Sequence, residues 1–119
     1  MTNQKRILYV LQQPPYLNDR VFEAFDALLV AAAFEQDVSL LFRGAGIQQL
    51  LRDQQPTAQR SLAKMLGSLG AYDVDKVFAA EQDLSSGGLT AADLAITPTA
   101  LDASGIQTLV AAQDIVLHD

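Results

Sequence analysis

Short apolar runs alternate with segments of helical spacing along the whole chain, and this alternation limits the fold more than any other feature. Arg6–Gln12 (RILYVLQ) is β-branched and aromatic at its centre and reads as a buried strand, stopped by Pro14 and Pro15. Asn18 is the expected N-cap of a helix running to about Glu35. In that helix Val21, Phe25, Leu28, Leu29 and Ala32 fall on one apolar stripe. Val38–Phe42 (VSLLF) is a second buried strand, leading into RGAGIQQLL, a glycine turn followed by a short helix.

Pro56 and Thr57 are expected to open the next helix, with Leu62, Met65, Leu66 and Leu69 as its stripe and Gly70 as a left-handed C-cap. Asp75–Ala80 is the third strand, and a short helical turn is expected near Leu84. Ala95–Thr97 reads as a brief fourth strand closed by Pro98. Asp102 or Thr99 then caps a helix carrying Ile106, Leu109 and Val110, and Asp114–Leu117 is the last strand. Strands that alternate with helices need crossover connections, which run right-handed and build a parallel sheet covered on both faces. The expected fold is an α/β three-layer sandwich (α/β/α) around a mainly parallel five-stranded sheet, with residues 1–119 forming one domain.

Composition narrows the chemistry. The chain has 119 residues, half of them apolar, so a sizeable core and not disorder is expected. It has no cysteine, which excludes disulfides, a thiolate nucleophile and a cysteine-held metal. The one histidine, His118, is expected at a frayed strand end, and no metal site or cofactor is expected. A net charge of −6 with scattered basic residues argues against direct nucleic-acid binding. The longest fully apolar run, Ala27–Phe34, is too short to span a bilayer. Lys5 and Arg6 precede an apolar stretch, but Gln12 and Gln13 end it without a small-residue cleavage site, so a cytoplasmic location is expected.

Three segments have the shape of a site. Gly44 and Gly46 lie where a strand turns into a helix, and their backbone N–H groups could cradle an anion. The turn lacks the third glycine of a dinucleotide fingerprint and the lysine of a P-loop, so plain turn chemistry competes with that reading. Asp19, Glu23 and Asp26 suit the start of a helix by complementing its dipole; the first strand ends in Gln12-Gln13-Pro14, not in the acids of a phosphoacceptor receiver domain. Glu81 and Asp83 follow the third strand, where ligands often sit in open α/β sheets, but with no histidine or metal partner a solvated loop is expected. No nucleophile–base set is credible, and the chain does not read as an enzyme.

Taken in order, the segments QQPPYLNDR, FDALLVAAAF, LLFRGAGIQQLL, MLGSLGAYDVDKVF and ITPTALDASGIQTLVAAQDIVLHD resemble the DsrE/DsrF-like sulfur-relay family, TusC/DsrF branch, over essentially the whole chain. No one of these segments is a catalytic signature, and the likeness rests on their order and spacing. In the DsrE/TusD branch a cysteine near the end of the third strand carries a persulfide. The resemblance puts Ala80, or a close neighbour, at that position, where alanine cannot hold sulfane sulfur. Some TusC-like chains do have a cysteine there, so its absence is a departure that removes independent sulfurtransferase activity.

The resemblance therefore implies a non-catalytic subunit. Its partners would be TusB/DsrH-like and TusD/DsrE-like subunits in a dimer of heterotrimers, relaying sulfur toward the 2-thiolation of the tRNA wobble uridine or, in the DsrF version, serving sulfur oxidation. Alone, the chain is expected to form a homo-oligomer. Tyr16, Leu17, Phe22, Ile47 and Leu50 are the expected interface residues, with core burial the competing reading for Phe22 and Leu50. A stand-alone anion-binding module using the Gly44–Gly46 turn is the alternative.

Overall fold

A computed structural model describes residues 4–16, 19–52 and 61–119. Five strands, β1 (Arg6–Leu11), β2 (Asp37–Phe42), β3 (Lys76–Ala80), β4 (Thr99–Leu101) and β5 (Ile115–His118), form one sheet in the order β4-β3-β2-β1-β5, every pair parallel. The four α-helices among the described residues are α1 (Arg20–Ala33), α2 (Leu62–Gly67), α3 (Glu81–Ser86) and α4 (Ala103–Ala111). The expectation of an α/β fold around a mainly parallel five-stranded sheet is met.

β1 lies inside the sheet, between β2 and β5, and shows why its sequence lacks alternation. Ile7, Tyr9 and Leu11 enter a large core with Val21, Phe25 and Leu28 of α1 and with Leu62 and Leu66 of α2. Leu8 and Val10 face the other way, into a smaller core with Leu41, against which Phe78, Ile106 and Leu109 pack. A strand buried on both faces must be apolar throughout. The first face thus carries α1 and α2, and the second carries α4.

α1 is rich in alanine and leucine and ends in a Schellman arrangement with Glu35 in the left-handed region at φ 64°. The Glu35 N–H donates to the Ala32 carbonyl at 2.9 Å and the Gln36 N–H to the Ala31 carbonyl at 3.1 Å. Asp19 occupies the N-cap position of this helix. Asn18, the residue expected there, lies outside the described residues, as do Leu17, Pro56 and Thr57.

Several expectations are corrected. α2 stops at Gly67, a 3-10 turn spans Leu69–Tyr72, and the left-handed residue that closes it is Asp73 at φ 59°, not Gly70. Asparagine and aspartate are the non-glycine residues that best tolerate this region. The fourth strand lies after Pro98, not before it: Thr99–Leu101 pairs with Phe78–Ala80, while Ala95 and Ile96 pack on the large core from a turn. Thr99 is in that strand, so Asp102 alone caps α4, accepting from the Gly105 N–H at 2.7 Å. His118 is not frayed; it pairs in register with Val10.

Candidate functional site

The carboxyl ends of β3 and β4 open on a cleft of about 650 Å³, walled by Arg43, Ala80, Glu81, Asp83, Leu101, Asp102, Ile106 and Gln107 among others. Strand alternation assigns the two alanines that end β3 to opposite faces. Ala79 is fully buried in the large core, whereas Ala80 lines the cleft. Ala80 lies beside Leu101 of β4, and the next residue begins α3.

Glu81 and Asp83 belong to the first turn of α3 rather than to a loop. Asp83 ties α3 to the turn after β2, because its Oδ2 accepts from the Gly44 N–H at 2.8 Å. That turn therefore differs from an open anion cradle. Gly44 is left-handed at φ 56°, and its amide is taken by Asp83. The Gly46 N–H donates to the Arg43 carbonyl at 3.0 Å. Among the described residues no group of three or more His, Cys, Asp or Glu could hold a metal ion.

Two ionisable groups with displaced pKa values lie away from the cleft. Burial pushes the Tyr9 hydroxyl up. The Arg6 backbone N–H, followed by the Arg6 side chain, holds Asp114 below its ordinary range. The cleft's walls offer amides, carboxylates, one guanidinium and the Ser85 hydroxyl. With no cysteine in the chain they include no thiol on which a persulfide could form.

The expected interface residues divide on burial. Phe22, Ile47 and Leu50 are in the large core, at most 6 % exposed, because the Gly44–Leu50 segment folds as a 3-10 turn with Ile47 and Leu50 inward. Tyr16 is half-buried, its ring 5.7 Å from that of Phe22 and its hydroxyl accepting from the Leu62 N–H at 3.0 Å. The apolar side chains that do face outward are others. Val30 of α1 borders a shallow groove with Tyr72, and Phe34, the C-cap of α1, is 75 % exposed; Ile115 and Leu117 lie on the edge strand β5. The i, i+4 spacing of Val30 and Phe34, off the buried stripe of α1, is the signal that could have found these two.

An all-parallel sheet in the order 4-3-2-1-5, with a ligand-sized cleft at its strand ends, defines a small α/β protein of open-sheet type. Comparison with known proteins places it further: the DsrE/DsrF-like family model matches residues 5–118, and the chain belongs to that family. A TusC homolog from Vibrio parahaemolyticus is 35% identical over 98 residues, covering 81% of this chain and 83% of its own. The intracellular sulfur oxidation protein DsrF of Allochromatium vinosum is 33% identical over 92 residues, covering 76% and 68%. Among solved structures, the YchN protein from E. coli superposes with a TM-score of 0.84 at 19% identity, covering 98% of this chain and all of that one. That last likeness speaks for the fold alone.

Proposed function

We propose that this chain is a cysteine-free subunit of a cytoplasmic sulfur relay, of the TusC/DsrF kind, that acts by holding cysteine-bearing partners in place. One observation carries the reading. In a member of this family, the strand-end cleft bordered by Ala80 is formed, yet the chain has no thiol to put there. Such a subunit contributes to sulfur transfer only through assembly. The proposed assembly is a dimer of heterotrimers with TusB/DsrH-like and TusD/DsrE-like subunits, working toward 2-thiolation of the tRNA wobble uridine. The sulfur-oxidation role is the second reading, favoured by the 33% identity to DsrF.

The outward-facing side chains Val30, Phe34, Tyr72, Ile115 and Leu117 supply apolar contact area of the kind that marks interfaces. A charge placed at Ile47 would be buried and would unfold the chain, so the informative substitution is Phe34→Glu at an exposed site. Light scattering of the three co-expressed chains should show one large complex, weakened by Phe34→Glu with the circular dichroism of the isolated chain unchanged. Elution of the three as separate species at micromolar concentration would sink the relay-subunit reading. Loss of tRNA 2-thiouridine on deletion of the gene separates the first pathway from the second.

A further inference from the structure

The order β4-β3-β2-β1-β5 reverses between β1 and β5, and in open α/β sheets such a switch point is where a ligand crevice forms. Here the crevice is filled from within. The Asp119 Oδ1 accepts from the Gln12 N–H at 2.8 Å and from the Gln13 N–H at 3.3 Å. Its Oδ2 accepts from the Gln13 N–H at 3.4 Å and from Gln49 Nε2 at 3.1 Å. Two successive backbone amides and a side-chain amide thus converge on one carboxylate, the geometry of an anion nest.

The donors are set independently of that carboxylate. Gln49 is fully buried, and its Nε2 also donates to the Gln13 carbonyl at 2.7 Å, which fixes the direction of the second N–H. Gly46 allows the close approach: a Cβ there would run into the Leu11 carbonyl and stand 2.9 Å from Gln12 N. Beside the nest lies a groove of about 430 Å³ along β5, lined by Arg20 of α1 and by Tyr9, Ala24, Ala27 and Leu117. Glu23 and His118 also border it, so its apolar walls stand between a cationic side chain and a carboxylate.

We propose that the carboxyl end of β1 is a carboxylate-binding site whose resident ligand is the chain's own Asp119, and that a small organic carboxylate with a short apolar tail takes its place when that side chain is withdrawn. The carboxylate occupies the Gln12, Gln13 and Gln49 donors, and the tail lies in the groove against Tyr9 and Leu117. The site is separate from the cleft at Ala80 and stands or falls independently of the relay assignment.

The test uses the full chain with Asp119→Ala, and butyrate as probe. The variant should melt lower than the parent. Sodium butyrate should restore most of the lost Tm in a saturable way, while sodium chloride at equal ionic strength does not. In nitrogen-15 spectra, the Gln12 and Gln13 amides and the Gln49 side-chain amide should shift saturably with butyrate in the variant and not in the parent. Adding Gln49→Leu should abolish the rescue. Equal action of butyrate and chloride, or amide shifts of equal size in parent and variant, would overturn the proposal. If Asp119→Ala fails to fold, Asp119→Asn serves instead; recovery of folded protein only with butyrate supports the site, and failure with butyrate as well overturns it.

Discussion

The two ends of this sheet treat the same problem in opposite ways. At β1 and β5 the strand ends are closed by the chain itself: Gly46 presses against the Leu11 carbonyl and Asp119 takes the free amides of Gln12 and Gln13. At β3 and β4 the strand ends stay open, and a cleft bordered by Ala80 remains. The difference is one of side-chain supply. The closed end is given a buried amide and a carboxylate that fill the crevice where backbone donors emerge, whereas at the open end β3 stops in alanine and the polar groups stay on the cleft's walls. A strand end becomes a site, in either sense, through what the neighbouring elements deliver to it.

The closed end is most exposed to challenge at Gly46, through Gly46→Ala. The new Cβ meets backbone atoms of Leu11 and Gln12, which cannot swing aside as a flexible side chain would. We expect a loss of about 3 kcal/mol, a large share of a typical domain's stability. Gly44→Ala is the control from the other side of the same turn. No atom lies within 4 Å of its added Cβ, so only the left-handed backbone at φ 56° resists, at about 1 kcal/mol. Urea midpoints of the two variants should differ accordingly, and equal midpoints would show that the closed end is less tightly packed than described.

Much of this architecture is legible in the sequence, and what is not has physical causes. β1, β2, β3 and β5 stand out because buried parallel strands need apolar runs. β4 does not, since three edge residues, Thr99–Leu101, carry almost no pattern, while the apolar Ala95 and Ile96 before Pro98 belong to a turn on the core. Gly70 attracts the C-cap assignment on composition, yet the chain first inserts a 3-10 turn and places Asp73 in the left-handed region. The β3 end is legible as a position, but its cleft joins Arg43, Asp102 and Gln107, which are distant in sequence. The Asp119–Gln12 contact spans 107 residues, and no local signal announces it. Phe22, Ile47 and Leu50 show the opposite limit, because an apolar residue near a loop looks the same whether it faces a partner or the core.

A smaller effect is expected at the open end. Asp83→Ala removes the carboxylate that holds the Gly44 amide beside the cleft. Because the site is exposed, water takes over part of the bond, and we expect a loss of about 1 kcal/mol. The proton-exchange rate of the Gly44 amide should rise more than the rates of β2 amides. An unchanged Gly44 rate would mean that α3 does not order that turn.

The smallest effect concerns the other end of the closed pair. Asp114, just before β5, accepts from the Arg6 N–H at 2.8 Å, and its Oδ1 lies 3.3 Å from Arg6 Nη2. The Arg6 backbone bond is the first cause of its lowered pKa and the side-chain bond the second. A depressed carboxyl favours the folded state while ionised. Its contribution is therefore fully present above the unfolded carboxyl's value, about 4, and is lost as pH falls through the lower folded value. The side chains are 56% and 37% exposed, so the ion-pair part is screened by salt, whereas the backbone hydrogen bond persists. Asp114→Asn should lower stability modestly near neutrality, where the ionised carboxyl contributes in full, and the difference should shrink as pH falls below about 4, which flattens the acid limb of the variant. Urea midpoints of parent and variant, taken across that range at low salt and at high salt, measure this. A difference that survives high salt assigns the effect to the Arg6 amide, so that an aspartate closes β1 against β5 at both ends of the pair. A difference that vanishes assigns it to the surface ion pair, and leaves the carboxyl end of β1 as the end where an aspartate seals the pair through backbone amides.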